Sequence, residues 1–271
     1  MKESLEIDKK LFLKKFKKIT DMFSQKLQDY IKNPNDENIH DIRVVVRRLE
    51  TAFQTLPKSE RKSKKIKNYI KQAKMLFKLN AKIRDIDIIC AKMESKYQEK
   101  THEMITSLKK LRIENLQNAN ELALKILHLS IPKISADIGR SKLNKRYLKV
   151  LDRIELDIQK NTIIALGDER RVEELHMLRK DFKKLRYSLE LISNKEKISQ
   201  VLKNLKDIQD MLGDIHDSDI IIEYLNTEHG SKYSDIKESE ILERRKKYNA
   251  FVTAFKKRKS KTSNFNLEFQ Y

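Results

Sequence analysis

Apolar residues recur at three- and four-residue spacing along almost the whole chain, the pattern of amphipathic helices. The punctuation is sparse. NPNDEN (33–38) closes a first helix of about 7–32 and opens a second, which LPKSERK (56–62) ends. A third helix is predicted from about 60 to 81. A long fourth region follows from Asp85 to Ser130, with an interruption near 96–101. SIPKISADIGR (130–140) holds a Pro and a Gly and is the predicted midpoint linker. The second half repeats the plan. A helix over about 141–166 is separated by LGDER from one over about 171–193. SNKEK then leads into a helix ending near the Gly of MLGDIHDSD. A last helical region of about 217–257 is broken around TEHGSKYSD (227–235). On this reading RDID (84–87) and HDSD (216–219) begin helices. Asp85 and Asp217 are then N-caps or first-turn acids that satisfy free N–H groups and the helix dipole.

Two of these helices carry the same pattern. IHDIRVVVRRLETAFQTL (39–56) places Ile42, Val46, Leu49 and Phe53 on one stripe and His40, Arg43 and Arg47 on the stripe beside it. LHMLRKDFKKLRYSLELI (175–192) does the same with Leu178, Phe182, Leu185 and Leu189 beside His176, Arg179 and Lys183, and Arg186 extends its basic stripe. The offset between the stretches is 136 (His40 to His176). A second match, KLNAKIRDIDIICAKM (78–93) with DMLGDIHDSDIIIEYL (210–225), pairs Asp85 with Asp217 and Asp87 with Asp219 at an offset of 132. Two matches in the same order at nearly the same offset indicate an internal duplication. The expected architecture is all-α: two four-helix bundles related by a pseudo-twofold axis and packed into one unit of 5–258. Its halves would be 5–130 and 140–258, with a tail of 259–271. A single long coiled coil is disfavoured, because Phe and Tyr occur throughout and no a/d heptad is sustained.

Composition sharpens this picture. Four Gly and three Pro in 271 residues allow few turns, so elements must be long. The net charge of +20 arises although 40 acids are present, and a field of that sign attracts polyanions: nucleic acid, phosphate polymers or anionic membrane. One cysteine, Cys90, excludes internal disulfides and Cys-based zinc sites, and its apolar neighbours suggest a small buried hydrophobe. No apolar run approaches the ~18 residues of a membrane span, and the N-terminus lacks a secretory hydrophobic region. The chain therefore reads as cytoplasmic, and the basic run 256–261 as a solvated end.

The basic stripes suggest chemistry. Like charges at i,i+4 cost a few tenths of a kcal/mol in a helix, and both motifs carry that cost with no acid within the stripe. A counter-charge from outside would offset it. Arg offers planar bidentate donors to phosphate, Lys a point charge, and His a further donor. Near an anion a His pKa rises, so binding should strengthen below neutrality. A third stripe, Lys71, Lys74, Lys78 and Lys82, lies on the third helix. Its second-half counterparts are Lys203 and Lys206, but Asp210 and Asp214 replace Lys78 and Lys82, so the halves are not electrically equivalent. Lys142, Lys145, Lys149 and Arg153 form a further basic row.

HDIRVVVRRL (40–49), HMLRKDFKKLRYSLE (176–190), IRDIDII (83–89) and IQDMLGDIHDSDIII (208–222) together resemble the CHAD family, the conserved histidine α-helical domain. The sharpest segment, HxLRxxxKxLRYxLE, is complete in 176–190. The resemblance covers roughly 5–258. It implies a compact helical fold with a central basic cavity that binds inorganic polyphosphate without catalysis and without a cofactor. It implies that His40, Arg43, Arg47 and Arg48 line the site from the first half, and His176, Arg179, Lys183, Arg186 and Lys206 from the second. Lys74 and Lys78 of the third helix complete the expected set. Two departures stand out. Glu50 occupies a position that is usually basic, which marks the first motif as the weaker one, and LNAKIRD lacks an expected Gly. The fused triphosphatase domain of some members has a Glu-x-Glu-x-Lys signature that is absent from this sequence.

Three rival functions fit less of the sequence. Charge alone supports an RNA- or DNA-binding helical protein, but there is no Trp, no closely spaced aromatic platform and no recognised reader module. An HD-type metal phosphohydrolase would use His40–Asp41 and His216–Asp217. These pairs occupy non-equivalent repeat positions, and the surrounding cations oppose a divalent metal. A charge-rich scaffold is the third.

Overall fold

The computed structural model describes residues 7–135, 137–192, 198–228 and 232–261. Among them are nine helices and no strand: α1 (Lys9–Lys32), α2 (Asp36–Thr55), α3 (Lys58–Arg61), α4 (Lys64–Lys96), α5 (Gln98–Leu127), α6 (Arg140–Gly167), α7 (Val172–Ile192), α8 (Ser199–Glu228) and α9 (Ser234–Lys261). The all-α expectation holds. All three prolines fall between helices, since each lacks an N–H and pushes its predecessor out of helical geometry. Pro34 follows α1, Pro57 follows α2 and Pro132 follows α5. Starts are capped locally. The Asp8 carboxylate accepts from the amides of Lys10 and Leu11, and the Asn35 side chain accepts from the amide of Asn38 at 2.8 Å. The predicted SNKEK connection (193–197) and most of the tail lie outside the described residues.

Two expected breaks do not occur. The third helix and the fourth region are joined through RDID into the 33-residue α4, and the chain passes through MLGDIHDSD within the 30-residue α8. Asp85 and Asp217 are therefore helix-interior residues, not N-caps. The interruption foreseen near 96–101 is real, at Tyr97 between α4 and α5. The reason for continuity is the unbroken buried spacing: Leu76, Asn80, Ile83, Ile86, Ile89, Cys90 and Met93 in α4, and Leu205, Ile208, Leu212, Ile215, Ser218, Ile221 and Leu225 in α8. One glycine costs a helix interior about 1 kcal/mol, which Gly213 imposes without ending α8. Cys90 is buried, as expected.

The chain forms two compact units. The first holds the described residues up to Asp152 together with Tyr187–Ile192, and the second holds Arg153–Arg186 and the described residues from 198 onward. The division falls inside α6 and α7, whereas the stretch 130–140 is the connection between α5 and α6. In the first unit, α4 packs along α5 and α1 packs along α2. Phe12, Phe16, Phe23, Leu49, Phe53 and Leu76 are buried there, with Phe16 edge-on to Phe53 at 5.0 Å between centroids. In the second unit α8 packs along α9. Leu178, Phe182, Leu185, Phe251 and Phe255 fill its core, and the Tyr248 hydroxyl donates to the Ala165 carbonyl at 3.0 Å.

Each long hairpin carries a part-buried ion pair. Arg112 Nε on α5 donates to Asp87 Oδ1 on α4 at 2.6 Å. Arg244 Nε on α9 donates to Asp219 Oδ1 on α8. The 132-residue offset that pairs Asp87 with Asp219 also pairs Arg112 with Arg244. So the second acids of RDID and HDSD bind the helix that follows. Burial pushes both carboxyls up, and the facing guanidinium works against that rise. Asp219→Ala should strand a buried charge on Arg244 and cost about 3 kcal/mol or more, read as a lower urea midpoint. The paired change Asp219→Leu with Arg244→Met should recover most of that loss, and equal losses for the single and paired variants would contradict the assignment.

Candidate functional site

In the first unit, α2 turns Ile39, Ile42, Val46, Leu49 and Phe53 inward, so the stripe beside them is held half-buried along α4. Arg43 and Arg47 both set their guanidinium groups against the ring of Phe77, at 4.7 and 5.5 Å from its centroid. Arg43 also donates to the Phe77 carbonyl at 3.5 Å. Two like charges are thus held together by one aromatic ring. Arg47 Nε is buried, and no group among the described residues accepts from it. His40, at the exposed end of the stripe, faces Asp41 at 3.5 Å, and Asp41 is held by Lys26 at 2.7 Å. Arg48 turns elsewhere. It pairs with Glu190 at 3.2 Å and lies over the Tyr187 ring, so the structure does not group it with Arg43 and Arg47.

Lys74 and Lys78 project from α4 beside a groove of 520 Å³, whose wall also includes Lys71, Arg61 and Gln54 over a floor of Phe53, Ile66 and Ile70. Glu50 stands in that wall and pairs with Lys74 at 2.6 Å. The departure at Glu50 therefore has a physical consequence: an acid neutralises one of the groove's lysines.

In the second unit, α7 buries Leu178, Phe182 and Leu185 and holds His176, Arg179, Lys183 and Arg186 half-buried along the same side of the helix. Its partner is α8. His176 Nδ1 lies 3.2 Å from His216 Nδ1, with ring centroids 4.5 Å apart. Arg179 lies against Gly213, close enough that a Cβ there would touch its guanidinium at 3.8 Å. Gln209 donates to the Phe182 carbonyl at 3.0 Å. These contacts fix an antiparallel register, and continuing it sets Arg186 level with the exposed Lys206. The same register governs α2 and α4. Moving α2 by 136 and α4 by 132 maps Arg47–Phe77 onto Lys183–Gln209 and Glu50–Lys74 onto Arg186–Lys206. Where the first unit has an ion pair, the second has two cations.

Burial, with Lys180, Arg179 and Lys183 adding to it, pushes His176 down to about 4. It is neutral at pH 7 in the free protein. Because this folded-state value lies below the unfolded one, near 6.5, the unfolded chain binds more protons between the two. Stability from His176 is present above pH 6.5 and is lost as pH falls toward 4.

Sequence reasoning missed two contributors. Phe77 follows Lys74 by three residues on α4 and was hidden among lysines, and Gly213 reads as a turn residue. Lys142, Lys145, Lys149 and Arg153 stand exposed on α6. Among the described residues no three His, Cys, Asp or Glu side chains converge as a metal site requires, and no helix is long and apolar enough to cross a membrane. From the His176 environment, replacing His176 by Gln should flatten the fall of the urea midpoint between pH 6.5 and 4. An unchanged slope would contradict its burial as a neutral base.

A family model described as CHAD domain matches residues 17–226, from within α1 to near the end of α8. Among solved structures, the crystal structure of the CHAD domain from the plant Ricinus communis is similar to this chain with a TM-score of 0.62. The two are 15% identical over 92% of each chain, a likeness that speaks for the fold. No curated protein matches the sequence. The family model spans most of the chain and includes both motif helices, so this protein belongs to the CHAD-domain family.

Proposed function

We propose that this protein binds inorganic polyphosphate in the cytoplasm, and does so without transforming it. The observation that carries this reading is the Arg43–Arg47 arrangement on Phe77. Two guanidinium groups are set against one ring, and Arg47 Nε is buried with no acceptor among the described residues. An unpaired buried donor costs about 1–3 kcal/mol, and a phosphate oxygen would remove that cost. The α7 cluster supports the same reading: Arg179, Lys183 and Arg186 are held on one helix with Lys206 level with the last of them. Polyphosphate has no bases to read, which suits donors that lack an aromatic stacking platform. Affinity would come from phosphate contacts and counter-ion release, and would fall with salt.

The test is calorimetry with long-chain polyphosphate and with RNA at equal phosphate concentration. Polyphosphate should bind at least tenfold more tightly, and equal or tighter RNA binding would assign the site to nucleic acid. The Arg47→Ala, Arg179→Ala double variant should lose on the order of a hundredfold in affinity, from about 1.5 kcal/mol per charged hydrogen bond. If deletion of 256–271 abolishes binding while that variant is unaffected, the basic end of the chain is the binding site. Glu50→Gln should tighten binding, by no more than about fivefold, because an exposed ion pair is worth at most about 1 kcal/mol.

A further inference from the structure

The contact between His176 and His216 has an unusual form: both rings meet through the same nitrogen, Nδ1 to Nδ1, at 3.2 Å. Such a contact exists only if one Nδ1 carries a hydrogen and the other offers its lone pair. In the neutral pair, the donor ring therefore has a bare Nε2, while the acceptor ring carries its hydrogen on Nε2. One further proton can be added without disturbing the contact, at the bare Nε2 of the donor ring. That ring becomes an imidazolium that still donates through Nδ1. Both outer edges of the pair then present N–H groups. A second added proton would set two Nδ1–H groups against each other at 3.2 Å, so the capacity of the intact pair is one.

The surroundings decide when that proton is held. From α7, Arg179, Lys180 and Lys183 act on His176, and all three are cations. From α8, the facing group is His216 itself, followed in the chain by Asp217. Where α9 meets α8, Lys247 donates to the Asp214 carbonyl at 3.3 Å and to the Ser218 hydroxyl at 2.8 Å. Without a ligand, burial first and then this field expel the extra proton. A bound polyanion reverses the field, and it also needs donors only. A bare Nε2 lone pair would repel a phosphate oxygen, whereas the proton-loaded pair offers an N–H at each edge. Position also matters. The 132-residue offset that relates the two halves sets His216 opposite Arg84, so a titratable donor stands where the first half has a permanent cation.

We infer that the His176–His216 pair makes anion binding at the α7–α8 cluster proton-coupled, with one proton taken up from solvent for each polyphosphate segment bound there. The inference rests on the polyanion-binding reading and adds its regulation: the cluster is a weak site at neutral pH and a strong one in an acidified compartment or during acid stress.

The experiment is calorimetry of the full chain with long-chain polyphosphate, whose internal phosphates stay ionised in this range, near pH 5.5 in two buffers of different ionisation enthalpy. The heat difference reports the protons taken up. The wild type should take up about one proton per site, and its affinity should rise by up to about tenfold for each pH unit lowered between pH 6.5 and 4.5. His176→Gln should remove this uptake. His216→Arg guards against a merely misfolded variant, because it supplies the permanent cation found at Arg84: binding should persist at pH 7.5 while the uptake and the pH dependence vanish. Binding with no proton uptake in the wild type, or an uptake unchanged in both variants, overturns the proton coupling and leaves polyphosphate binding standing. A wild type that binds no polyphosphate at any pH overturns both.

Discussion

Apolar and basic residues on α2 and α7 occupy adjacent stripes of the same helix, and burying the first fixes the place of the second. Each buried Leu, Ile or Phe contributes about 1.5–3 kcal/mol, so four or five of them outweigh the few tenths lost to repulsion between neighbouring cations. The cations are then held half-buried on a surface they would not select by themselves. What neighbours them is set by α4 and α8. In the first unit the neighbour is the ring of Phe77, and in the second it is the backbone at Gly213 and the imidazole of His216. The placement of these cations is thus a by-product of core packing.

The two clusters follow one register but differ in electrostatics. Glu50 compensates Lys74, whereas the corresponding positions, Arg186 and Lys206, are both positive. His40 is exposed beside Asp41, whereas His176 is half-buried beside another histidine and among cations. The first cluster therefore holds an acid against one of its own lysines, and the second has two cations at the corresponding positions.

Much of this was legible in the sequence, because the relevant signals are local. Helical spacing, the three prolines and the repeated stripe of His, Arg and a later cation located both motif helices to within a few residues of α2 and α7. RDID and HDSD misled, because closely spaced acids resemble a helix start. The buried spacing through Ile83, Ile86 and Ile89, and through Leu212 and Ile215, carried the helix past them. Asp87 and Asp219 find their arginines 25 residues further on, a distance at which sequence pattern gives no partner. The same limit hid Phe77 and the diversion of Arg48 to Glu190: the pairing of one helix with another is decided by tertiary packing.

The central claim is that these half-buried stripes, and not the exposed lysines, receive the anion. A crystal structure of the protein with a short polyphosphate chain tests it most directly. The account predicts phosphate oxygens within about 3 Å of Arg47 Nε and of the Arg179 and Lys183 side chains. Phosphates seated only on Lys145 and Lys149 of α6, with Arg47 and Arg179 untouched, would contradict it.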